Sequence, residues 1–187
     1  MSRTHSLKRS TKVFCERVED GCDDIPPGEM DLTTMSHVLE HVGDVNKVIS
    51  NIYDWMSPGG VLTIETPNIE SLDAHLFKNG YWGRYHIPLH WNLFTPSSLE
   101  TLLTNHGLDV IGTRYQTGHG LWMYSLHHNL RYKTKPRTRL ARAFDPFLNI
   151  PFTASFVGLD IIRARLGCKT SAMLMLARKP IPGEDRC

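Results

Sequence analysis

A chain of 187 residues is long enough for one domain with a real core, and its composition is ordinary for a soluble globular protein. A net charge of +2, from 21 Lys and Arg against 19 Asp and Glu, selects no particular partner. The four cysteines, Cys15, Cys22, Cys168 and Cys187, form no C-x-x-C pair, and neither a signal peptide nor an uncharged run of membrane-spanning length accompanies them; this excludes a disulfide framework and a transmembrane segment and points to a reducing cytoplasm.

Residues 1–11 are polar and basic and read as a frayed start. Lys12–Cys15 reads as a short strand, followed by an acidic turn at Val18-Glu19-Asp20 and a Pro-Gly connector over residues 25–30. Asp31–Ser36 then reads as a Thr-rich strand. Val45, Val48, Ile49, Ile52, Tyr53 and Met56 recur at helical spacing, with Asp44 as N-cap and Pro58-Gly59-Gly60 expected to stop the helix. Val61–Glu65 is the next strand, ending in Thr66-Pro67-Asn68. A crossover of this length demands parallel strands and a right-handed connection. Ligands of open α/β sheets sit beyond the carboxyl ends of the strands, here Ser36–His41 and Thr66–Asn68.

Residues 69–79 read as a helix with Leu72, Leu76 and Phe77 on one face. The aromatic, glycine-punctuated run from Gly80 to Trp91 has the makings of a lid, in which Trp82, Tyr85 and Trp91 either pack on a planar ligand or close the loop. Thr95 or Ser97 caps a helix containing Leu99, Leu102 and Leu103, with Glu100 expected to complete a capping box and Gly107 to end it. Leu108–Tyr115 is a strand, and 116–166 an insertion with a basic run from Arg131 to Arg142 and an apolar, proline-broken stretch from Phe144 to Leu166. The basic run reads as a solvated or membrane-proximal face rather than a nucleic-acid site. Ser171–Ala177 is a last apolar strand in which Met173 and Met175 belong to the core.

The run MSHVLEHVGD, the PGG turn, the strand end ETPN and the later WGRYHIPLHWNLFTPSSLETLLTNHGLDV together resemble the class I S-adenosylmethionine-dependent methyltransferases. Within them, the nearest likeness is to the branch of the ubiquinone-biosynthesis O-methyltransferases. The resemblance covers roughly Lys12–Val110 and implies a Rossmann-like α/β sheet of parallel strands with an antiparallel C-terminal strand, here extended by a helical insertion. The family's glycine-rich cofactor loop has no counterpart before Asp31, so the fold reads as incomplete, entered at its third strand, in a single domain over 1–187.

By this likeness the cofactor is S-adenosylmethionine, framed by Val18, Glu19, Ser36, His37 and Val38. The reaction is methyl transfer, O-methylation in the nearest branch, to a small-molecule acceptor. The acceptor is served by His90, His86 and His41, since a neutral imidazole can take a hydroxyl proton. Some relatives carry an acid at the position of His37 and hold a divalent metal there; with His in its place, no metal is assigned. The expected partners include no nucleic acid. A peripheral membrane contact and self-association through an uncovered sheet edge are left open. The alternatives are a non-catalytic fragment or binding module of the same fold and, more remotely, a metallohydrolase using His37-x-x-Glu40-His41, which would need that motif inside a long helix.

Overall fold

The computed structural model describes residues 17–85, 88–117, 121–133 and 138–183. Four strands, β1 (Met30–Ser36), β2 (Met56–Pro67), β3 (Asp109–Gln116) and β4 (Ala172–Arg178), form one sheet in the order β1-β2-β4-β3. The first two pair in parallel, with Ser36 opposite Glu65, and β4 runs antiparallel to both β2 and β3. The mixed sheet and its antiparallel last strand follow the expectation, and the penultimate strand lies at the edge. The strand expected at Lys12–Cys15 lies outside the described residues.

Helix α1 (Val45–Trp55) connects β1 to β2. The Asp44 carboxylate accepts from the Asn46 and Lys47 amides at 3.0 and 3.1 Å, satisfying donors that the first turn leaves unpaired. Val48, Ile49 and Ile52 face inward. The helix ends earlier than the glycines suggest, because Met56 is already extended. Pro58-Gly59-Gly60 therefore lies within β2, at a register shift where Met30 pairs with Met56 and Leu32 with Val61. Gly59 has φ +81°, and a Cβ on Gly60 would lie 2.7 Å from the Met30 carbonyl oxygen, so this irregularity requires both glycines. The α1 end is closed by Lys179, whose Nζ donates to the Tyr53 and Met56 carbonyls at 2.8 Å each.

Helix α2 (Leu72–Phe77) is shorter than its pattern and turned differently. Leu72 and Leu76 are exposed, while Asp73 and Ala74 are buried. The polar anchor decides this: Asp73 Oδ2 accepts from Trp82 Nε1 and Ser171 Oγ, both at 2.7 Å. Helix α3 (Pro96–Asn105) is capped by Thr95 in a capping box with Ser98, not Glu100, because counting from Thr95 puts Ser98 at the third helical position. In β3 the register shifts between Val110 and Gly112, and Ile111, 53% exposed, is the extra residue.

Met35, Leu62, Ile64, Met173, Met175 and Ala177 meet Ile49, Ile52, Leu99 and Leu103 in one core between the sheet and α1 and α3. The opposite sheet face is less covered: Leu32 is 64% exposed, and Val61, Thr63, Leu174 and Leu176 are half-buried. The insertion forms α4 (Leu121–His128), a π-helical turn (Asn129–Lys133), α5 (Thr138–Ala143) and α6 (Ile150–Arg165). Trp122 joins α4 to α6, stacking on Phe156 at 6.1 Å and donating to Asp160 at 3.1 Å. Burial raises the Asp160 carboxyl pKa, a shift that Trp122 and Arg163 oppose.

Removing the α1 cap with Asp44→Ala should cost about 1 kcal/mol. Urea unfolding should show this as a lower midpoint at unchanged slope.

Candidate active site

The carboxyl ends of β1 and β2 meet. Ser36 Oγ donates to Glu65 Oε2 at 2.8 Å, and the His37 amide donates to the Glu65 carbonyl at 3.0 Å. His37 then breaks the strand with φ +53°, an uncommon conformation outside glycine that costs on the order of 1–3 kcal/mol. This turn aims the imidazole at two carboxylates: Nδ1 lies 2.9 Å from Glu40 Oε1 and Nε2 lies 3.6 Å from Glu65 Oε1. Val38 is half-buried and packs against the core. Glu40 is wholly buried, and its Oε2 accepts from Thr66 Oγ1 at 3.3 Å, so the turn after β1 and the tip of β2 close on one another.

The lid is bound to the same place by its backbone. The Glu40 carbonyl accepts from the Trp91 and Asn92 amides at 2.8 and 3.2 Å, and Asn92 Nδ2 donates to the Val42 carbonyl at 2.7 Å. Trp91 itself is 72% exposed, whereas Trp82 is buried on Asp73. His41 and His90 lie edge to face with ring centroids 4.7 Å apart. His41 Nδ1 donates to the Leu89 carbonyl at 3.0 Å, and His90 Nδ1 donates to the Arg84 carbonyl at 2.6 Å. Carbonyl oxygens only accept, so in each neutral ring the Nδ1 carries the proton and Nε2 the lone pair. Glu40, His41 and His90 can each present a ligand atom within 4.8 Å of the others.

The fold thus gathers His37, Glu40, His41 and His90, although residue 90 lies far along the chain from 37–41. His86 lies outside the described residues. Val18 and Glu19 form a 3-10 turn beside α1, where Asn51 Nδ2 donates to the Val18 carbonyl at 2.8 Å. The Glu19 carboxylate accepts from the Gly43 and Asp44 amides, holding the turn between His41 and α1. The Asp44 amide above all, then the Gly43 amide and Arg17, hold this carboxyl below its ordinary value of 4.5, against the opposing effect of burial. The His37-x-x-Glu40-His41 motif occupies a strand end and a 3-10 turn, Leu39–His41, rather than a helix. The long-helix setting that the hydrolase motif needs is absent.

Sequence reasoning passed over Glu65 and Arg84. Glu65 is the acidic residue of ETPN, and its place directly opposite Ser36 in parallel register was the available signal. Arg84 left no signal: burial pulls its guanidinium below the ordinary value, offset by Glu40, Glu65 and Asp73. Beside it, a cleft of about 430 Å³ is lined by Gly80, Tyr81, Trp82, Gly83, Tyr85, Tyr124 and His128. Asn129 holds the lid to α4 across this cleft, donating to the Tyr81 and Ser125 carbonyls and accepting from the Tyr81 amide.

A methyltransferase-domain family model matches residues 5–113, more than half of the chain. No curated protein matches significantly. Among solved structures, a protein from Bacillus halodurans described as a methyltransferase is similar over 88% of this chain and 76% of its own, at 13% identity and a TM-score of 0.52. A SAM-dependent methyltransferase from Archaeoglobus fulgidus shares 18% identity over 88% of this chain, with a TM-score of 0.50. One from Thermotoga maritima shares 11% over 88%, also at 0.50. These likenesses establish the fold. The chain spans 66% of the Archaeoglobus protein and 62% of the Thermotoga protein.

Two outcomes follow from the geometry. Replacing His37 by Ala leaves a fully buried Glu40 oxygen without its donor, and chemical denaturation should register a loss of about 1–3 kcal/mol. Because the Glu19 carboxyl is held low, its contribution to stability is complete above pH 4.5 and fades as pH falls through the folded value. In a pH series of unfolding midpoints, Glu19→Gln should therefore flatten the acid-side decline.

Proposed function

The chain belongs to the methyltransferase-domain family, and we propose that it binds S-adenosylmethionine beyond the carboxyl ends of β1 and β2 and methylates a small-molecule acceptor, most simply at a hydroxyl. The observation that carries this reading is the closure of Glu40 on Thr66, which joins the turn after β1 to the tip of β2 at the position where ligands of open α/β sheets sit. The bound cofactor supplies an already electrophilic methyl carbon. The protein is left to hold the acceptor in line and to take its proton.

In this reading Ser36, His37 and Val38 frame the donor, with Val18 and Glu19 at its rim. His90 takes the acceptor proton at Nε2, since the Arg84 carbonyl holds Nδ1–H and so fixes the ring. His41 stands beside it in the same tautomer. His86 keeps its place as a second base on the likeness of the lid sequence alone, and that likeness is also what supports the ubiquinone-type O-methyltransferase branch. The cleft lined by Tyr81, Tyr85 and Tyr124 offers flat apolar walls to an acceptor, and Arg84, whose carbonyl holds the base, lies in the chain between its lining residues Gly83 and Tyr85. The grouping of Glu40, His41 and His90 favours a second use of the same side chains, as a carboxylate–imidazole donor set for a divalent ion that would orient an acceptor oxygen.

Calorimetry should give saturable heat with millimolar S-adenosylmethionine, abolished in Glu19→Ala; no heat at that concentration would sink the proposal. With an acceptor that supports release of S-adenosylhomocysteine, His90→Ala should lower turnover by about 10²–10⁴-fold with cofactor affinity unchanged. If chelation silences the wild type and an added divalent ion restores it, the donor-set reading replaces the general-base reading.

A further inference from the structure

Helix α6 carries apolar side chains on every side, yet only one side of it is covered. Phe156, Asp160 and Arg163 face inward onto Trp122, by ring stacking, a hydrogen bond and a guanidinium 5.7 Å from the indole. The helical period puts Pro151, Ala154, Gly158, Ile161, Ile162 and Arg165 on the opposite side. A helix of this composition is normally buried on all sides. Here Ile150 and Leu166, at its two ends, are 71% and 75% exposed, and Ile162 is 58% exposed. The turn leading into the helix extends the same character, with Phe147 77% and Leu148 68% exposed. A contiguous exposed apolar surface of this kind marks an interaction site.

The charge around this surface says what would cover it. Residues 121–170 hold nine Lys and Arg against Asp145 and Asp160 only, a net +7, so the remainder of a chain of net +2 carries −5. Two of these charges are already paired, Arg163 with Asp160 and Lys169 with Glu70, and Asp145 stands in the turn itself. Asp160 is buried against Trp122 and Arg163, and Asp145 accepts from the Phe147 and Leu148 amides. Arg165 lies on the outward side of α6, and Arg142 is in the last turn of α5, close before Phe144, whose ring packs on Phe152 at 5.5 Å. A second copy of the chain would set the exposed Arg142 and Arg165 against their own counterparts. An anionic bilayer instead offers apolar depth for the Phe, Leu and Ile side chains and negative headgroups for the arginines.

We propose that α6 and the turn over residues 144–148 form a peripheral docking surface for an anionic lipid bilayer. This surface is separate from the strand-end site and independent of methyl transfer. It is nonetheless continuous with the aromatic cleft, because Phe147 packs edge-on against Tyr124 at 5.9 Å.

The test is flotation of the whole chain with phosphatidylcholine vesicles, with and without phosphatidylglycerol. The expected result is association with the phosphatidylglycerol vesicles that weakens with added salt. It should fall about fivefold in Arg165→Ala, from the energy of one base near an anionic surface. In the double variant Phe147→Glu, Ile162→Glu it should fall by more than about tenfold. Ile111→Glu, at an exposed apolar site on β3, should leave it unchanged, with circular dichroism verifying the fold of each variant. No flotation, equal flotation on uncharged vesicles, or a folded double variant that floats like the wild type would overturn the proposal. So would a dimer in sedimentation that the double variant dissolves. Should the double variant not fold, Arg142→Ala with Arg165→Ala decides alone.

Discussion

The buried carboxylate of Glu40 is the point on which the strand-end region depends. A carboxylate with no exposed surface is costly unless its oxygens are paired. Here one oxygen meets His37 and the other Thr66, so the pairing that lowers the cost also joins the turn after β1 to the tip of β2. The main chain of the same residue receives the lid through Trp91 and Asn92. One residue therefore ties together two strands and the loop that covers them. The left-handed backbone at His37 is a local cost of reaching this arrangement, because only that turn brings Nδ1 onto Glu40.

A second polar anchor performs the same task on the other side of the lid. Asp73 gathers the Trp82 indole and the Ser171 hydroxyl, so α2, the lid and the entry to β4 share one buried acceptor. The lid is thereby held at both ends, by Asp73 near its start and by Glu40 near its finish, with Asn129 holding its first residues to α4. His90 lies between these fixings, and its ring is set by a carbonyl of the same loop. A base borne by such a loop is positioned by backbone hydrogen bonds rather than by a regular element, and lid geometry and base geometry change together.

The sheet presents two different faces. Helices α1 and α3 bury most of one of them, and on the other Leu32 stands open beside half-buried Val61 and Thr63. In a doubly wound sheet both faces are covered, so the described residues make a core of one sheet face and one helical layer. The insertion adds a second, smaller body of packing around Trp122, where aromatic rings and a buried Asp–Arg pair do the joining.

The sequence alone determined the strand–helix–strand unit, the Asp44 cap and the methionine core of β4, because each is written in neighbouring residues: a 3.6-residue period, a capping side chain, an apolar run. It also marked the strand ends as the place to look, since topology follows from crossover length. It misjudged the PGG segment and the buried side of α2. A register shift against β1 and a hydrogen bond from Ser171, 98 residues away, are not local properties. Only the tertiary structure decided that His41 meets His90, that Glu19 spends its carboxylate on the Gly43–Asp44 turn, and that one side of the mostly apolar α6 is left uncovered. Each of these depends on which distant surface packs where, and pattern along the chain carries no record of that.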